Sequence, residues 1–148
     1  MRTVWIKWGC RTLVGYDRHG LGYTRQGRGN NVPNTIILPK LGIEYGICLG
    51  ERSVPDIEGF WKAFETTLKL CEKGLLERFA IMAKQSPKAA PFMYQNNTIQ
   101  DARKCKKNVY EALKHNTLAI GYIGIAEMCQ ALFGKNPVSY THLRAHET

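Results

Sequence analysis

A cysteine placed between a glycine and an arginine is the most chemically distinctive feature of this sequence. Residues 8–12 read Trp-Gly-Cys-Arg-Thr, so Cys10 follows a flexible glycine and precedes the guanidinium of Arg11. A neighbouring guanidinium stabilises a thiolate and lowers the thiol pKa. Cys10 is therefore the best candidate for a reactive cysteine among the five in the chain. The alternative is a small buried residue in a strand, because cysteine packs well in apolar interiors.

The remaining four cysteines show no pattern of their own. They occupy positions 48, 71, 105 and 129, on predicted helices or at loop edges, and we interpret them as packing residues. Successive gaps of 38, 23, 34 and 24 residues exclude a CxxC pair and zinc-ligand spacing within this chain. The odd total of five cysteines fits reduced thiols in a cytosol.

Two glycine-containing segments have a composition suited to phosphate. Residues 27–31 (Gly-Arg-Gly-Asn-Asn) could bring backbone and the charge of Arg28 close to an anion, although a basic turn between two strands explains them equally well. Residues 117–124 (Thr-Leu-Ala-Ile-Gly-Tyr-Ile-Gly) lead directly into a predicted helix, whose first amides would bind phosphate readily. The alternative for this second segment is close packing of a strand on a helix, which glycine permits.

The charge of the chain favours an anionic partner. With 21 Lys and Arg against 12 Asp and Glu, the formal net charge is +9. Basic and aromatic residues also alternate in the first third, a composition that can bind single-stranded nucleic acid. Residues 103–107 (Arg-Lys-Cys-Lys-Lys) are most simply a solvated helix face. No apolar run approaches the ~18 residues of a membrane span, and the amino end lacks a signal peptide, so we expect a soluble cytoplasmic protein.

These residues must be positioned by a mixture of strands and helices. Nine of the 14 glycines fall within residues 1–50, which predicts a turn-rich first third with short strands at 2–6, 11–14 and 35–38 and a turn at 17–20. Apolar residues then recur every three or four positions over 56–86, which predicts a helix ~45 Å long at ~1.5 Å per residue. The rest is predicted as a short buried strand at 91–94, a helix at 101–115, a strand at 117–122 and a helix at 123–133 closed by Gly134. This alternation is typical of an α/β fold.

Four segments, taken in order, resemble the anaerobic (class III) ribonucleoside-triphosphate reductase family. They are residues 9–12 (Gly-Cys-Arg-Thr), 27–30 (Gly-Arg-Gly-Asn), 35–40 (Thr-Ile-Ile-Leu-Pro-Lys) and 120–127 (Ile-Gly-Tyr-Ile-Gly-Ile-Ala-Glu). Residues 114–118 are similar to the family's segment before its phosphate-binding turn. The resemblance covers about residues 3–136.

The resemblance implies a fold and a set of site residues. The fold would be α/β, a partial piece of a ten-stranded α/β barrel of the glycyl-radical enzyme type. Cys10 would be the finger-loop cysteine whose thiyl radical removes the ribose 3′ hydrogen, with Asn30 and Thr12 beside it as catalytic residues. The resemblance also implies a group of residues that binds the substrate phosphates. This group comprises Gly121, Tyr122, Ile123 and Gly124.

Cofactors and partners implied by the resemblance lie largely outside this chain. The glycyl radical, a structural zinc and the ATP or dNTP effector region have no counterpart in these residues. The reductant would be formate or a redoxin, and Trp8 stands where many relatives carry Met, which leaves that choice open. The substrate would be a ribonucleoside triphosphate. The parent protein would be activated by a radical-SAM enzyme, would form a homodimer and would have no membrane association.

The sequence also predicts how the chain is divided. Residues 1–137 are expected to be a fragment of the catalytic barrel that includes the finger loop and is inactive by itself. Residues 138–148 depart abruptly from the family and resemble a translated sequencing adaptor, so they are expected to be a non-native tail. Two other functions stay open at this point: a small basic nucleic-acid-binding domain, and a fragment of another glycyl-radical enzyme.

Overall fold

Short strands and helices alternate along the chain, as expected for an α/β protein. The structure is a computed structural model that describes residues 6–8, 12–14, 16–24, 26–96 and 98–137. The strands are β1 (Ile6–Trp8), β2 (Thr12–Val14), β3 (Asn30–Ile37) and β4 (Thr117–Ile123). The helices are α1 (Leu38–Tyr45), α2 (Ile57–Ala83), α3 (Pro91–Gln95), α4 (Tyr110–Leu113) and α5 (Ile125–Phe133). Single 3₁₀ turns lie at Pro87–Ala89 and Ala102–Lys104.

The described strands form two small sheets. β1 and β2 pair antiparallel, with Ile6 opposite Val14 and Trp8 opposite Thr12. β3 and β4 form a parallel pair. The mixed α/β class is thereby confirmed, and the described residues contain two pairs of strands rather than a barrel. Of the predicted strand at 2–6, residues 2–5 lie outside the described part of the chain.

The chain divides into two units, each with its own apolar cluster. The first unit comprises residues 1–34 and 72–119, and the second comprises residues 35–71 and 120–148. In the first unit the buried cluster is Cys105, Val109, Ala112 and Leu113, packed against Phe79, Met82, Tyr94 and Ile99. In the second unit it is Leu41, Phe60 and Leu132, packed against Tyr45, Ala63, Phe64 and Met128.

The long helix and the last helix begin or end where the sequence predicts. The Asp56 carboxylate accepts a hydrogen bond from the Gly59 amide at 2.8 Å, which satisfies one of the unpaired donors at the start of α2. Gly134 follows α5 with a left-handed φ of 68°, and its amide donates to the Gln130 carbonyl. This is the conformation that favours glycine just after a helix. Both helix predictions are therefore confirmed.

Two predictions in the middle of the chain are wrong. Residues 91–94 belong to the helix α3 rather than a buried strand, and Phe92 is 71% exposed. The fixed φ of Pro91 suits a first helical turn, and a short apolar run does not by itself distinguish the two structures. The helix predicted over 101–115 is broken, because Asp101 is left-handed with φ 61° and Asn108 accepts a hydrogen bond from the Tyr110 amide at the start of α4. Its apolar residues Cys105, Val109 and Leu113 are nevertheless buried in one cluster.

The helix α1 is absent from the sequence-based prediction, and its glycines explain why. Leu38 was predicted to end a strand, but it begins α1 with Pro39 in the first turn. Gly42 and Gly46 then weaken the local helical signal. In the structure they permit close contact with α5: a Cβ on Gly42 would lie 2.9 Å from the Met128 carbonyl oxygen, and one on Gly46 would overlap the Ala131 carbonyl. Tertiary packing therefore overrides local propensity here.

A matched pair of glycine substitutions tests this packing. Gly42→Ala should lower the free energy of unfolding by about 1–3 kcal/mol, because backbone atoms of α5 must move to admit the methyl group. Gly74→Ala in α2 brings the same gain in helical propensity. The nearest atom to its Cβ is Asn34 Nδ2 at 3.9 Å, so this variant should raise the free energy of unfolding by about 0.5–1 kcal/mol. Urea denaturation followed by circular dichroism measures both values. A neutral or stabilising Gly42→Ala would contradict the contact.

Candidate functional site

The candidate cysteine, Cys10, lies between β1 and β2 in the sequence. Residues 9–11, which include Cys10 and Arg11, connect the two paired strands and lie outside the described residues. Thr12 is the first residue of β2 and lies opposite Trp8. A three-residue connection between paired antiparallel strands is a common hairpin length. The role of Cys10 and Thr12 stays a prediction.

A buried imidazole–carboxylate pair follows the hairpin. Asp17 Oδ2 lies 3.0 Å from His115 Nδ1, and the two side chains are 3% and 8% exposed. The same Asp17 oxygen accepts a hydrogen bond from the Leu21 amide at 2.8 Å, while the Asp17 amide donates to the Gly22 carbonyl. The turn predicted at 17–20 is thus confirmed, and Asp17 joins it to His115.

The hydrogen bonds to Asp17 determine which side chain of this pair carries the shared proton. Burial raises the pKa of the Asp17 carboxyl, but hydrogen bonds from Leu21, His115 and the His19 backbone outweigh burial, and the pKa lies below its ordinary value. Asp17 is therefore ionised at neutral pH and can only accept. His115 Nδ1 must then carry the proton and donate it. Nε2 faces the Asp101 carboxylate, with 3.7 Å between the nearest atoms.

The segment that contains Asn30 is tied to the residues before β4. The Arg28 Nε donates to the His115 carbonyl at 2.9 Å. Asn31 Nδ2 donates to the Leu113 carbonyl at 3.2 Å, and Asn116 Nδ2 donates to Asn31 Oδ1 at 2.9 Å. Both the amide and the hydroxyl of Thr117 donate to the Gly29 carbonyl. Asn30, the first residue of β3, therefore lies between two anchored neighbours, and its side-chain oxygen is buried.

This network was not found by sequence reasoning. Arg28 was considered as a charge for an anion in a basic turn, but its guanidinium is buried and donates to the carbonyls of Gly22 and His115. Asp17 was identified only as a turn residue, and His115 only as part of a family-like segment. The sequence shows only that His115 is flanked by polar residues and precedes a predicted strand. That pattern does not identify the residue to which the histidine binds.

The end of β4 and the start of α5 have the geometry of an anion site. Gly124 adopts φ 83°, and a Cβ there would overlap the Pro39 ring. Its carbonyl accepts from the Met128 amide, and no described side chain caps the helix, so the first amides of α5 lack intrahelical acceptors. Such amides, together with the helix dipole, favour a negative group.

An open cavity of about 700 Å³ lies at this helix start. Its lining comprises Pro39, Tyr122, Ile123, Gly124, Ile125, Ala126 and Glu127. Tyr122 and Ile123 are 61% and 50% exposed, so they are accessible from solvent. No lysine or arginine lines the cavity among the described residues, and the Glu127 carboxylate opposes a phosphate there. Within the described chain, backbone amides rather than cationic side chains would bind the anion.

Comparisons with known proteins identify the family to which this chain is similar. The family model for anaerobic ribonucleoside-triphosphate reductase matches residues 2–145. The anaerobic ribonucleoside-triphosphate reductase of Salmonella typhimurium is 29% identical over 129 residues, or 85% of this chain. Those of Escherichia coli and Haemophilus influenzae are 28% identical over 85% and 26% identical over 88% of the chain. In each case the chain spans 17% of the length of the relative.

Fold and site together define a mixed α/β protein in which a strand leads into a helix start without a described side-chain cap, and in which a polar segment is separately anchored. The extent of the match then makes the family plain. This chain belongs to the anaerobic ribonucleoside-triphosphate reductase family, as its sequence motifs indicate. No described helix is both long and apolar enough to cross a membrane.

Replacing Asp17 by Asn tests the buried pair through its pH dependence. At pH 7 Asp17→Asn should lower the free energy of unfolding by about 1–3 kcal/mol, because His115 loses a charged acceptor. The folded pKa lies below the ordinary 3.8, so the stabilisation is complete above that value and disappears as the pH falls through the folded pKa. Urea titrations of both proteins should therefore converge only when the pH falls below the folded pKa of Asp17, which lies under 3.8.

The control for this titration is Glu77→Gln, which removes an exposed carboxylate 3.9 Å from the Lys73 ammonium. It should leave the pH dependence of unfolding close to that of the wild type, because exposed ion pairs contribute little. A difference between wild type and Asp17→Asn that does not shrink as the pH falls through the acid range below 3.8 would contradict the assignment.

Proposed function

We propose that this chain is a catalytic segment of a longer anaerobic reductase that converts ribonucleoside triphosphates to deoxyribonucleotides for DNA replication. The observation that carries the proposal is the family match over residues 2–145, which spans the hairpin around Cys10, the anchored Asn30 and the start of α5 at Gly124. The chain by itself is expected to have no turnover.

The chemistry proposed for Cys10 is hydrogen-atom transfer. Its sulfur radical would take the 3′ hydrogen of the ribose, which leaves the electron at C3′ and allows the 2′ hydroxyl to depart as water after protonation. The same sulfur would return a hydrogen atom to C3′ at the end of the cycle. A glycyl radical outside this chain would supply the radical character, and formate or a redoxin would supply the two reducing electrons.

The other site residues would bind and orient the substrate. Asn30, which is anchored through both sequence neighbours, and Thr12 would contact the ribose near Cys10. Gly121, Tyr122, Ile123 and Gly124 would receive the triphosphate at the start of α5, where the unpaired amides lie beside the open cavity. Fixed geometry of this kind shields and aims a reactive radical.

The proposal extends to the architecture and partners of the full-length protein. The parallel pairing of β3 and β4, with helices in the connection between them, suits one part of a ten-stranded α/β barrel. The full-length enzyme would be a cytoplasmic homodimer that is activated by a radical-SAM enzyme. It would contain a structural zinc and would bind ATP or dNTP effectors elsewhere. Residues 138–148 are proposed to be a non-native tail.

The two alternative functions receive less support. A nucleic-acid-binding domain would use its basic residues as an exposed surface, but Arg28 is buried and bonded to carbonyls. The family match names the reductase rather than another glycyl-radical enzyme. The structure thus offers no specific observation that favours either alternative.

Substituting Cys10 in the full-length protein tests the proposed chemistry. Cys10→Ala should abolish deoxynucleotide formation under anaerobic conditions, because no sulfur remains to take the 3′ hydrogen. The glycyl-radical signal in electron paramagnetic resonance should persist. Cys48→Ala, which alters an exposed cysteine, is the matched control and should retain turnover. Turnover by Cys10→Ala would remove Cys10 from its proposed role.

A pair of left-handed glycines tests the phosphate site. Gly124→Ala introduces a Cβ that overlaps Pro39 at the cavity, so the KM for the ribonucleoside triphosphate should rise by roughly tenfold or more, the loss of about one good hydrogen bond to a charged group. Gly50→Ala imposes the same left-handed strain, with φ 75°, but its Cβ meets no atom within 4 Å. Steady-state kinetics of the full-length protein should show an unchanged KM for Gly50→Ala. Equal KM values for the two variants would place the triphosphate elsewhere.

A further inference from the structure

The buried Asp17–His115 pair takes no part in the proposed radical chemistry, yet it joins the turn that follows β2 to the residues that precede β4. Asp17 comes three residues after β2, at the base of the hairpin that flanks Cys10. Its carboxylate binds both the Leu21 amide and His115 Nδ1. The His19 ring also packs edge-on against the His115 ring, with centroids 6.1 Å apart. The turn after the hairpin is therefore attached to His115 from two directions.

His115 is attached to the Asn30 segment through its backbone. Arg28 Nε donates to the His115 carbonyl, and the same guanidinium donates to the Gly22 carbonyl of the turn. Arg28 therefore bridges the turn and the residues before β4. Because a guanidinium presents several donors in a fixed plane, it fixes the orientation of both carbonyl groups at once. The Gly29 and Asn31 contacts with Thr117 and Leu113 extend the same attachment.

The backbone next to Asn30 is strained. Val32 adopts φ 48° in β3, although a β-branched residue strongly disfavours the left-handed region. Such a conformation persists only when the surrounding structure determines it, and it is typical of positions where geometry matters to function. The hydrogen bonds to Gly29 and Asn31, which precede Val32 in the chain, hold the backbone in this conformation.

We propose that His115 is a positioning residue, which through Asp17 and Arg28 holds the base of the Cys10 hairpin and the Asn30 segment against the residues that precede β4. Its relevance to catalysis rests on the proposed function. The imidazole binds the turn through Nδ1, and the His115 carbonyl binds Arg28, so one residue connects both catalytic segments. These polar groups are buried, and loss of the imidazole leaves the Asp17 carboxylate with one donor fewer.

Nuclear magnetic resonance of the 148-residue chain tests the attachment without any catalytic activity. In the wild type the ¹⁵N spectrum of His115 should show a protonated Nδ1 at neutral pH. In His115→Leu, amide hydrogen exchange at residues 17–22 and 29–31 should accelerate by roughly ten- to a hundredfold, because a hydrogen bond to a charged group is lost. Exchange in the apolar cluster of Val109 and Leu113 should keep its protection, which shows that the fold is intact.

A conservative variant, His115→Asn, distinguishes a hydrogen-bonding role of His115 from a role in packing alone. The side-chain amide of His115→Asn can donate to Asp17 from about the place of Nδ1, so it should restore most of the lost protection. Glu77→Gln, which alters an exposed carboxylate of α2, should change none of these rates. If His115→Leu is unfolded, Asp17→Asn replaces it and should accelerate exchange in the same two segments.

The catalytic consequence is measured separately in the full-length protein. Asp17→Asn should lower kcat several-fold while the glycyl-radical yield stays the same. A His115 spectrum without a protonated Nδ1, or unchanged exchange in His115→Leu and Asp17→Asn, would overturn the positioning role. An unchanged kcat in Asp17→Asn would overturn its link to catalysis. Retained turnover by Cys10→Ala would instead refute the proposed function and leave the exchange results standing.

Discussion

A hydrogen bond between two buried side chains, Asp17 and His115, is the constraint on which the first unit of this structure depends. The carboxylate is ionised despite its burial, because amides of its own turn and the imidazole all donate to it. Such a group is costly to bury without its partners and is stable only when they are all in place. Arg28 then uses the His115 carbonyl to attach the next segment. One short stretch before β4 thereby anchors two parts of the chain that are distant in sequence.

The second unit positions its site by a different means, namely close backbone packing. Glycines in α1 let that helix approach α5, and Gly124 lets the chain turn from β4 into α5 beside Pro39. The result is an uncapped helix start at an open cavity. The proposed radical chemistry would need both devices, because the reacting sulfur must be held rigidly while charged phosphates are bound by groups that do not react with it. Backbone amides would meet the second requirement.

Sequence reasoning succeeded where the signal was local and failed where it depended on distant residues. The long helix α2 and the glycine after α5 were predictable from the sequence. The reason is that Asp56 and Gly134 each form a hydrogen bond with a residue no more than four positions away. The helix α1 was missed because Gly42 is unfavourable locally and is explained only by contact with Met128. The Asp17–His115 contact joins residues 98 positions apart, and one sequence carries no information on such a pairing. The site motifs themselves were accessible through family resemblance.

The most direct test of the account is a crystal structure of the full-length protein with a bound ribonucleoside triphosphate. The account predicts that the triphosphate lies against the first amides of α5 at Gly124. It also predicts that the Cys10 sulfur lies about 3–4 Å from the ribose C3′, as a near-attack geometry requires, with Asn30 beside the ribose. Phosphates bound away from the start of α5, or a Cys10 sulfur remote from the ribose, would contradict it.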